Sequence, residues 1–295
     1  MSPTGPDERG AEPPGAPQAP RAHPVPPPGP GKSRPGQGPG KLPGDAFALA
    51  AGTLTVLPTP APSAINRRVA GWAMILGPLV MLPVALLAGL AGWALAAAGA
   101  PPLAAGFVAV GLTLALTRAI HADGLADTVD GLGASWDRDR ALDVMRRGDV
   151  GPMGAAGLVV VLGLQAACLG AVVARPGGWL AATALLAASR AALATGCRVG
   201  VPAARPEGLG EAVAGSVRWA RWATCWILTT ALVALSAVAT GRPLLVALLG
   251  VIAAALAVEA ALWFVTRRLG GITGDVLGAL IEVAATALLL VAATA

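Results

Sequence analysis

The sequence of 295 residues predicts an all-α fold, a polytopic transmembrane helical bundle of about seven spans behind a disordered N-terminal tail. Three observations predict it. Hydrophobic residues make up 55% of the chain and charged residues only 13%, about half the charge of an ordinary soluble domain. Apolar runs of about 20 residues, enough to cross about 30 Å of hydrocarbon at about 1.5 Å per residue, recur along most of the length. Arginine, finally, falls almost entirely in alternate loops between those runs.

Residues 1–44 stand apart. Their 14 prolines and 9 glycines fill more than half the stretch and leave too little apolar surface for a core, so this tail is predicted to be disordered. It has no apolar h-region followed by a cleavage site and does not read as a signal peptide. Its basic residues Arg9, Arg21, Lys32, Arg34 and Lys41 are read as solubilising. Next comes "DAFALAAGTLTVLPTP" (45–60), too short and too broken by Pro58 and Pro60 to cross, which is predicted to lie along the interface.

Glycine, proline and arginine then divide the apolar sequence into spans at 70–98, 102–120, 153–174, 179–197, 219–240, 243–266 and 275–295. With seven spans, alternate loops must share a side. One set holds Arg67, Arg68, Arg118, Arg138, Arg140, Arg146, Arg147, Arg198, Arg205, Arg218, Arg221, Arg267 and Arg268; the other holds only Arg175 and Arg242. The positive-inside rule places the first set in the cytoplasm and the C-terminus outside. Trp72, Trp93, Trp179, Trp219, Trp222 and Trp263 fall near span ends and read as interfacial anchors. Cys168, Cys197 and Cys225 lack metal-ligand spacing and read as packing residues. The formal charge of +5 comes from arginines that alternate with spans, not from a basic module, so a nucleic-acid partner is discounted.

The chemistry collects in "HADGLADTVDGLG" (121–133). Asp123, Asp127 and Asp130 stand at i, i+4 and i+7, which on a helix confines three carboxylates to an arc of about 60°. Such a face repels itself unless a cation sits in it, and hard oxygen ligands suit Mg²⁺. Gly124, Gly131 and Gly133 clear space for a ligand beside the backbone. "GGITGDVLGALIE" opens the last span with Asp275 and Glu282 at i and i+7, near Gly271, Gly274 and Gly278. Arg190 lies inside the fourth span and needs an anionic partner, either a protein carboxylate or a substrate phosphate. The loops add "MRRGDVGPMG" (145–154), with Arg146, Arg147 and Asp149, and "RPEGLGEA" (205–212), with Arg205 and Glu207. Acids, glycines and arginines on one face are the chemistry of metal-assisted phosphate-group transfer. Glu259, in the sixth span, has no assigned role.

"HADGLADTVDGLG", "ARPEGLG" and "GGITGDVLGALIE", in that order in a multi-span chain, resemble cobalamin synthase, the adenosylcobinamide-GDP ribazoletransferase family. The similarity covers residues 45–295, read as the transmembrane catalytic domain. It implies an enzyme of the cell (inner) membrane, with its active site facing the cytoplasm, that joins adenosylcobinamide-GDP to α-ribazole or its 5′-phosphate and releases GMP with the help of Mg²⁺. On that reading Asp123, Asp127, Asp130, Asp275 and Glu282 are candidate metal ligands. Asp130, Arg190 and Arg146 are candidate catalytic residues, and His121, Gly124, Gly131, Arg205, Glu207 and Gly274 candidate substrate contacts. The implied partners are the two small-molecule substrates and membrane lipid, with self-association or association with other corrinoid-assembly enzymes left open. The chain departs from many relatives at Arg147 and Gly148, where an Asp-Ser pair is common, and at Val56, where a basic residue is usual.

Two other readings compete. "DTVDGLGAS" partly matches CDP-alcohol phosphotransferases of lipid synthesis, with Ser135 in place of their arginine. An ion-coupled transporter would also place ionisable residues such as Asp275, Glu282, Glu259 and Arg190 within the membrane.

Overall fold

The computed structural model describes Met1 and residues 42–294. The predicted tail therefore lies outside the described residues except at its end, where Leu42 already begins the first helix. α1 (Leu42–Leu54) is too short to cross, and the chain after it is pinned back by Asp45, whose carboxylate accepts from the Ser63 N–H and hydroxyl, both at 2.7 Å. The first span is α2 (Arg67–Ile75) followed by α3 (Gly77–Ala97). Asn66 starts α2 by accepting from the Arg68 and Val69 N–H groups, both at 3.0 Å, which satisfies two of the donors a helix N-terminus leaves open.

The second span was expected as one helix over 102–120, but α4 (Pro102–Leu116) stops earlier. Arg118 and Ala119 both adopt left-handed backbone, at φ 55° and 53°, and the following helix, α5 (Ile120–Ala134), leaves at 93° to α4. Left-handed backbone costs a non-glycine residue about 1–2 kcal/mol, so neighbouring contacts must hold this bend. The Arg118 guanidinium donates to the Gly52 and Thr53 carbonyls at 2.8 and 3.2 Å, and the Val56 N–H to Leu116 at 2.9 Å. α4 alone, at about 22 Å, is shorter than the hydrocarbon layer; only with α5 does it pass as a span.

The short surface helix α6 (Arg138–Met145) is followed by α7 (Pro152–Val173), and then by α8 (Gly178–Ala188), a 3₁₀ turn (Ser189–Ala191) and α9 (Ala192–Gly196), which together make one broken span. After the brief α10 (Leu209–Val213) come α11 (Trp219–Ala239), α12 (Leu244–Leu269) and α13 (Gly274–Ala293). Among the described residues six helices are long and apolar enough to cross, seven with the bent pair. α13 is largely buried, packed by α12, α5 and α7, whereas α11 and α12 expose Ile227, Leu235, Leu245 and Leu256, the surface a lipid-facing helix requires.

Hydrogen bonds fix which loops share an end. Arg138 donates to the carbonyls of Leu269 (2.9 Å) and Ala204 (2.6 Å), and Arg268 to those of Leu132 (3.2 Å) and Ser135 (2.8 Å). At the opposite end Arg175 reaches the carbonyls of Ala292 (3.2 Å) and Ala293 (3.0 Å), and Arg242 that of Val172 (3.2 Å). The two arginine sets separated by loop parity thus occupy opposite ends of the bundle.

Candidate active site at the arginine-rich end

The bend before α5 decides the site. Turned away from α4, α5 lies across the N-terminal ends of α7 and α13, so its acids meet the first turns of both. Small residues permit the approach: a Cβ added at Gly124 would stand 2.6 Å from the Asp275 carbonyl oxygen, and one at Gly278 would stand 3.1 Å from the His121 Cα. Gly131 sits equally close to α6, 2.9 Å from the Ala141 carbonyl by the same measure. Gly124 and Gly131, predicted as substrate contacts, are therefore filled by protein on these sides.

The three acids of α5 have different surroundings. Asp123 is exposed, while Asp127 and Asp130 are each only 7% exposed. Asp130 turns to α7, where one carboxylate oxygen accepts from the Gly151 N–H and the other from the Gly154 N–H, each at 2.8 Å. Gly151 is the N-cap of α7 and has no side chain to cap with. Asp130 supplies that cap from another helix, with its charge at the positive end of the α7 dipole. Asp127 has no hydrogen-bond partner among the described residues, and the charges of Asp123, Asp275, Asp130 and Asp149 all reach it. Asp275 accepts from the Thr273 hydroxyl at 3.1 Å.

No three His, Cys, Asp or Glu side chains converge closely enough to grip a bare metal ion among the described residues. What the acids offer is a looser mouth of hard oxygens, in which Arg205 offsets part of the charge of Asp275. Glu282 is not part of this mouth. Two turns deeper than Asp275 and 6% exposed, it accepts from the Gln165 amide at 2.8 Å. It shares a small internal cavity with Arg190, whose guanidinium donates to the Leu186 carbonyl (2.9 Å) and the Ser189 hydroxyl (2.8 Å) and approaches His121 Nδ1 at 3.4 Å. Arg190 thus stands beneath the mouth as a support of His121.

Beside Asp275 opens a polar cleft of about 190 Å³, lined by Arg205, Glu207, Thr273, Gly274 and Asp275 among others. Arg205 is anchored through the Leu142 carbonyl; partial burial and then the neighbouring Arg146 pull its guanidinium below the ordinary arginine range, while Asp275, Glu207 and Asp143 oppose that shift. Arg146 and Glu207 form an ion pair at 3.0 Å, with about half or more of each side chain in water, so it adds little stability while joining the two loops at the rim.

The sequence left Glu259 without a role and did not single out Gln165. Glu259 pairs with Arg198, whose guanidinium also lies over the Trp219 ring at 4.4 Å. Glu259 is on α12 and Arg198 in the loop after α9, 61 residues apart, so no spacing in the chain announced the pair. Gln165 did carry a signal, an amide in an otherwise apolar span.

Residues 46–293 match the family described as cobalamin-5-phosphate synthase. The chain belongs to the cobalamin-5-phosphate synthase family. The match runs from Ala46 inside α1 to Ala293 at the end of α13, so it takes in every span and every candidate residue of the site. Similar proteins include the adenosylcobinamide-GDP ribazoletransferase of Nocardioides sp., 44% identical over 83% of this chain and 97% of the relative. The proteins of that name from Frankia casuarinae (40% identical; 84% of this chain, 92% of the relative) and Bradyrhizobium diazoefficiens (38%; 83% and 92%) are also similar. No solved structure matches.

Proposed function

We propose that this member of the cobalamin-5-phosphate synthase family is an integral-membrane, Mg²⁺-dependent transferase that joins adenosylcobinamide-GDP to α-ribazole, or its 5′-phosphate, and releases GMP. The observation that carries the reading is the mouth where Asp127 of α5 and Asp275 of α13 meet beside Arg205. In the transfer, the phosphorus attached to cobinamide keeps that bond, gains one to a ribose hydroxyl oxygen and loses the one to the oxygen that leaves with GMP. Asp123 and Asp275 would hold Mg²⁺, which when bound neutralises charge on the diphosphate. Arg205 donates to the phosphate oxygens, and Arg146, positioned by Glu207, offsets charge on the departing GMP. The hydroxyl proton passes to a carboxylate, for which Asp127, buried and without a hydrogen-bond partner, is the best placed. Asp130 acts one step back, holding α7 against α5.

The arginine asymmetry puts this end of the bundle on the cytoplasmic side of the cell membrane, where a nucleotide-activated substrate is available. Two of the charges that an ion-coupled transporter would use are already partnered, Glu259 by Arg198 and Glu282 by Gln165. The test is incubation of the purified protein with adenosylcobinamide-GDP, α-ribazole and Mg²⁺. A corrinoid product with the mass of the joined molecule and an equivalent of GMP are the expected result, and their absence overturns the proposal.

A further inference from the structure

A groove of about 250 Å³ lies between the first span and α11, lined among others by Ile75, Leu79 and Leu82 on one side and Cys225, Leu228 and Thr229 on the other. Here α2 gives way to α3 at Leu76, and α11 faces the break with two small residues, Cys225 and Thr229. The Thr229 hydroxyl donates to the Cys225 carbonyl of its own helix at 2.7 Å, so the walls offer a ligand almost only hydrocarbon. Leu79 and Leu228 are 54% and 64% exposed, which opens the groove sideways to the lipid. Contacts between the two segments continue from the groove toward the arginine-rich end. Cys225 Sγ lies 3.8 Å from the Ile75 carbonyl oxygen, the Arg221 guanidinium 5.0 Å from the centre of the Trp72 ring, and the Arg67 guanidinium donates to the Ala214 carbonyl at 2.7 Å. Arg221 is four residues before Cys225 and Trp72 three before Ile75, so both stand one turn beyond the groove on the helix faces that line it. Arg218 and Arg68 lie one further turn out on the same faces. The charge of these arginines is unanswered. Among the described residues no side-chain hydrogen bond or ion pair engages Arg68, Arg218 or Arg221, and the sequence has no acid between Asp45 and Asp123 or between Glu211 and Glu259. Glu211 is exposed and pairs with none of the three, and Glu259 is taken by Arg198.

We propose that this groove binds one anionic phospholipid, with an acyl chain seated between α3 and α11 and the phosphate at Arg221. A guanidinium held over an aromatic face by its charge keeps its N–H donors for another partner, and a phosphate diester supplies the matching acceptors. A chain that moves from the bilayer into the groove gains packing but sheds no water, so the choice between lipids falls to the headgroup. A choline headgroup brings a cation of its own to the arginines, whereas phosphatidylglycerol brings only the phosphate charge. The groove shares no wall residue with the polar cleft beside Asp275, so lipid binding here does not depend on the transferase reading.

The test is native mass spectrometry of the whole protein, released from detergent after titration with phosphatidylglycerol or phosphatidylcholine of identical chains. The wild type is expected to retain a single phosphatidylglycerol at a concentration at least about fivefold lower than it needs for phosphatidylcholine, the scale of one arginine acting on an anionic headgroup. Arg221→Gln is expected to bring the two lipids near parity, and Thr229→Phe, which puts a ring into the groove, to weaken retention of both. Arg140→Gln removes a cation from α6, which packs on α5 and α12, and is expected to leave the preference intact. Equal retention of both lipids by the wild type overturns the proposal, as does an Arg221→Gln protein that keeps the preference. An equal loss in Arg140→Gln would reveal only a basic face, retention of glycerol phosphate as tight as that of the whole lipid only an anion site, and a lipid-free dimer a different occupant; each of these overturns it as well. If Arg221→Gln does not fold, the wild type and Thr229→Phe still decide, since undiminished lipid retention with the groove filled is equally fatal.

Discussion

Asp127 and Asp130 are three positions apart on one helix, yet their surroundings give them different work. Both oxygens of Asp130 accept backbone N–H groups at the start of α7, whereas Asp127 has no such bonds. A hydrogen bond to a charged group contributes about 1.5–3 kcal/mol. Asp130→Ala is therefore expected to lose about 3 kcal/mol of stability, read as a lower melting temperature in detergent; a variant as stable as the wild type would show that the cap is dispensable. Asp127→Asn should melt like the wild type and lose at least about a hundredfold in turnover, the scale of losing a positioned proton acceptor. The i, i+4, i+7 spacing made the shared face of these acids legible in the sequence. Their division of labour was not, because it depends on Gly151 and Gly154, which lie 21 and 24 residues further on and become neighbours only through the fold.

At the scale of elements, the site exists because α5 crosses the start of α13 at close range. A valine at Gly124 would drive its Cβ into the Asp275 backbone, so Gly124→Val is expected to separate the two helices and abolish turnover while the spans remain inserted. Retained activity in that variant would mean that the mouth does not depend on this contact. Glu282 belongs to a different layer. Sequence spacing put it on the same face as Asp275, and the face is right, but two turns of depth carry it to Gln165 and the cavity of Arg190. Glu282→Ala should accordingly reduce the yield of folded protein and leave the Mg²⁺ requirement of the surviving fraction unchanged. A raised requirement would return Glu282 to the metal site. The bend that creates this arrangement could not be read from composition, because left-handed backbone at Arg118 and Ala119 is a cost that neither residue type advertises and that contacts from α1 sustain.

The whole molecule was the most legible level. Span number follows from hydropathy, and loop parity sorted the arginines into the two sets that the structure holds at opposite ends. The three native cysteines are buried, so introduced ones can be labelled against little background. Arg140→Cys and Glu211→Cys are expected to react with an impermeant thiol reagent from the cytoplasmic side, and Ala98→Cys from the other. Labelling of positions 140 and 211 from opposite sides would break the topology.

The central claim is that acids from α5 and α13 hold one Mg²⁺ over the reacting diphosphate. Its most direct test is the rate of GMP release from adenosylcobinamide-GDP and α-ribazole as Mg²⁺ is titrated, for the wild type and for Asp275→Ala. The predicted result is no release without divalent metal, a saturable Mg²⁺ dependence in the wild type, and a half-saturating concentration at least about tenfold higher in the variant, the cost of about 1.4 kcal/mol of lost metal binding. Release that proceeds undiminished in the presence of a chelator, or an Asp275→Ala titration that overlays the wild type, would contradict it.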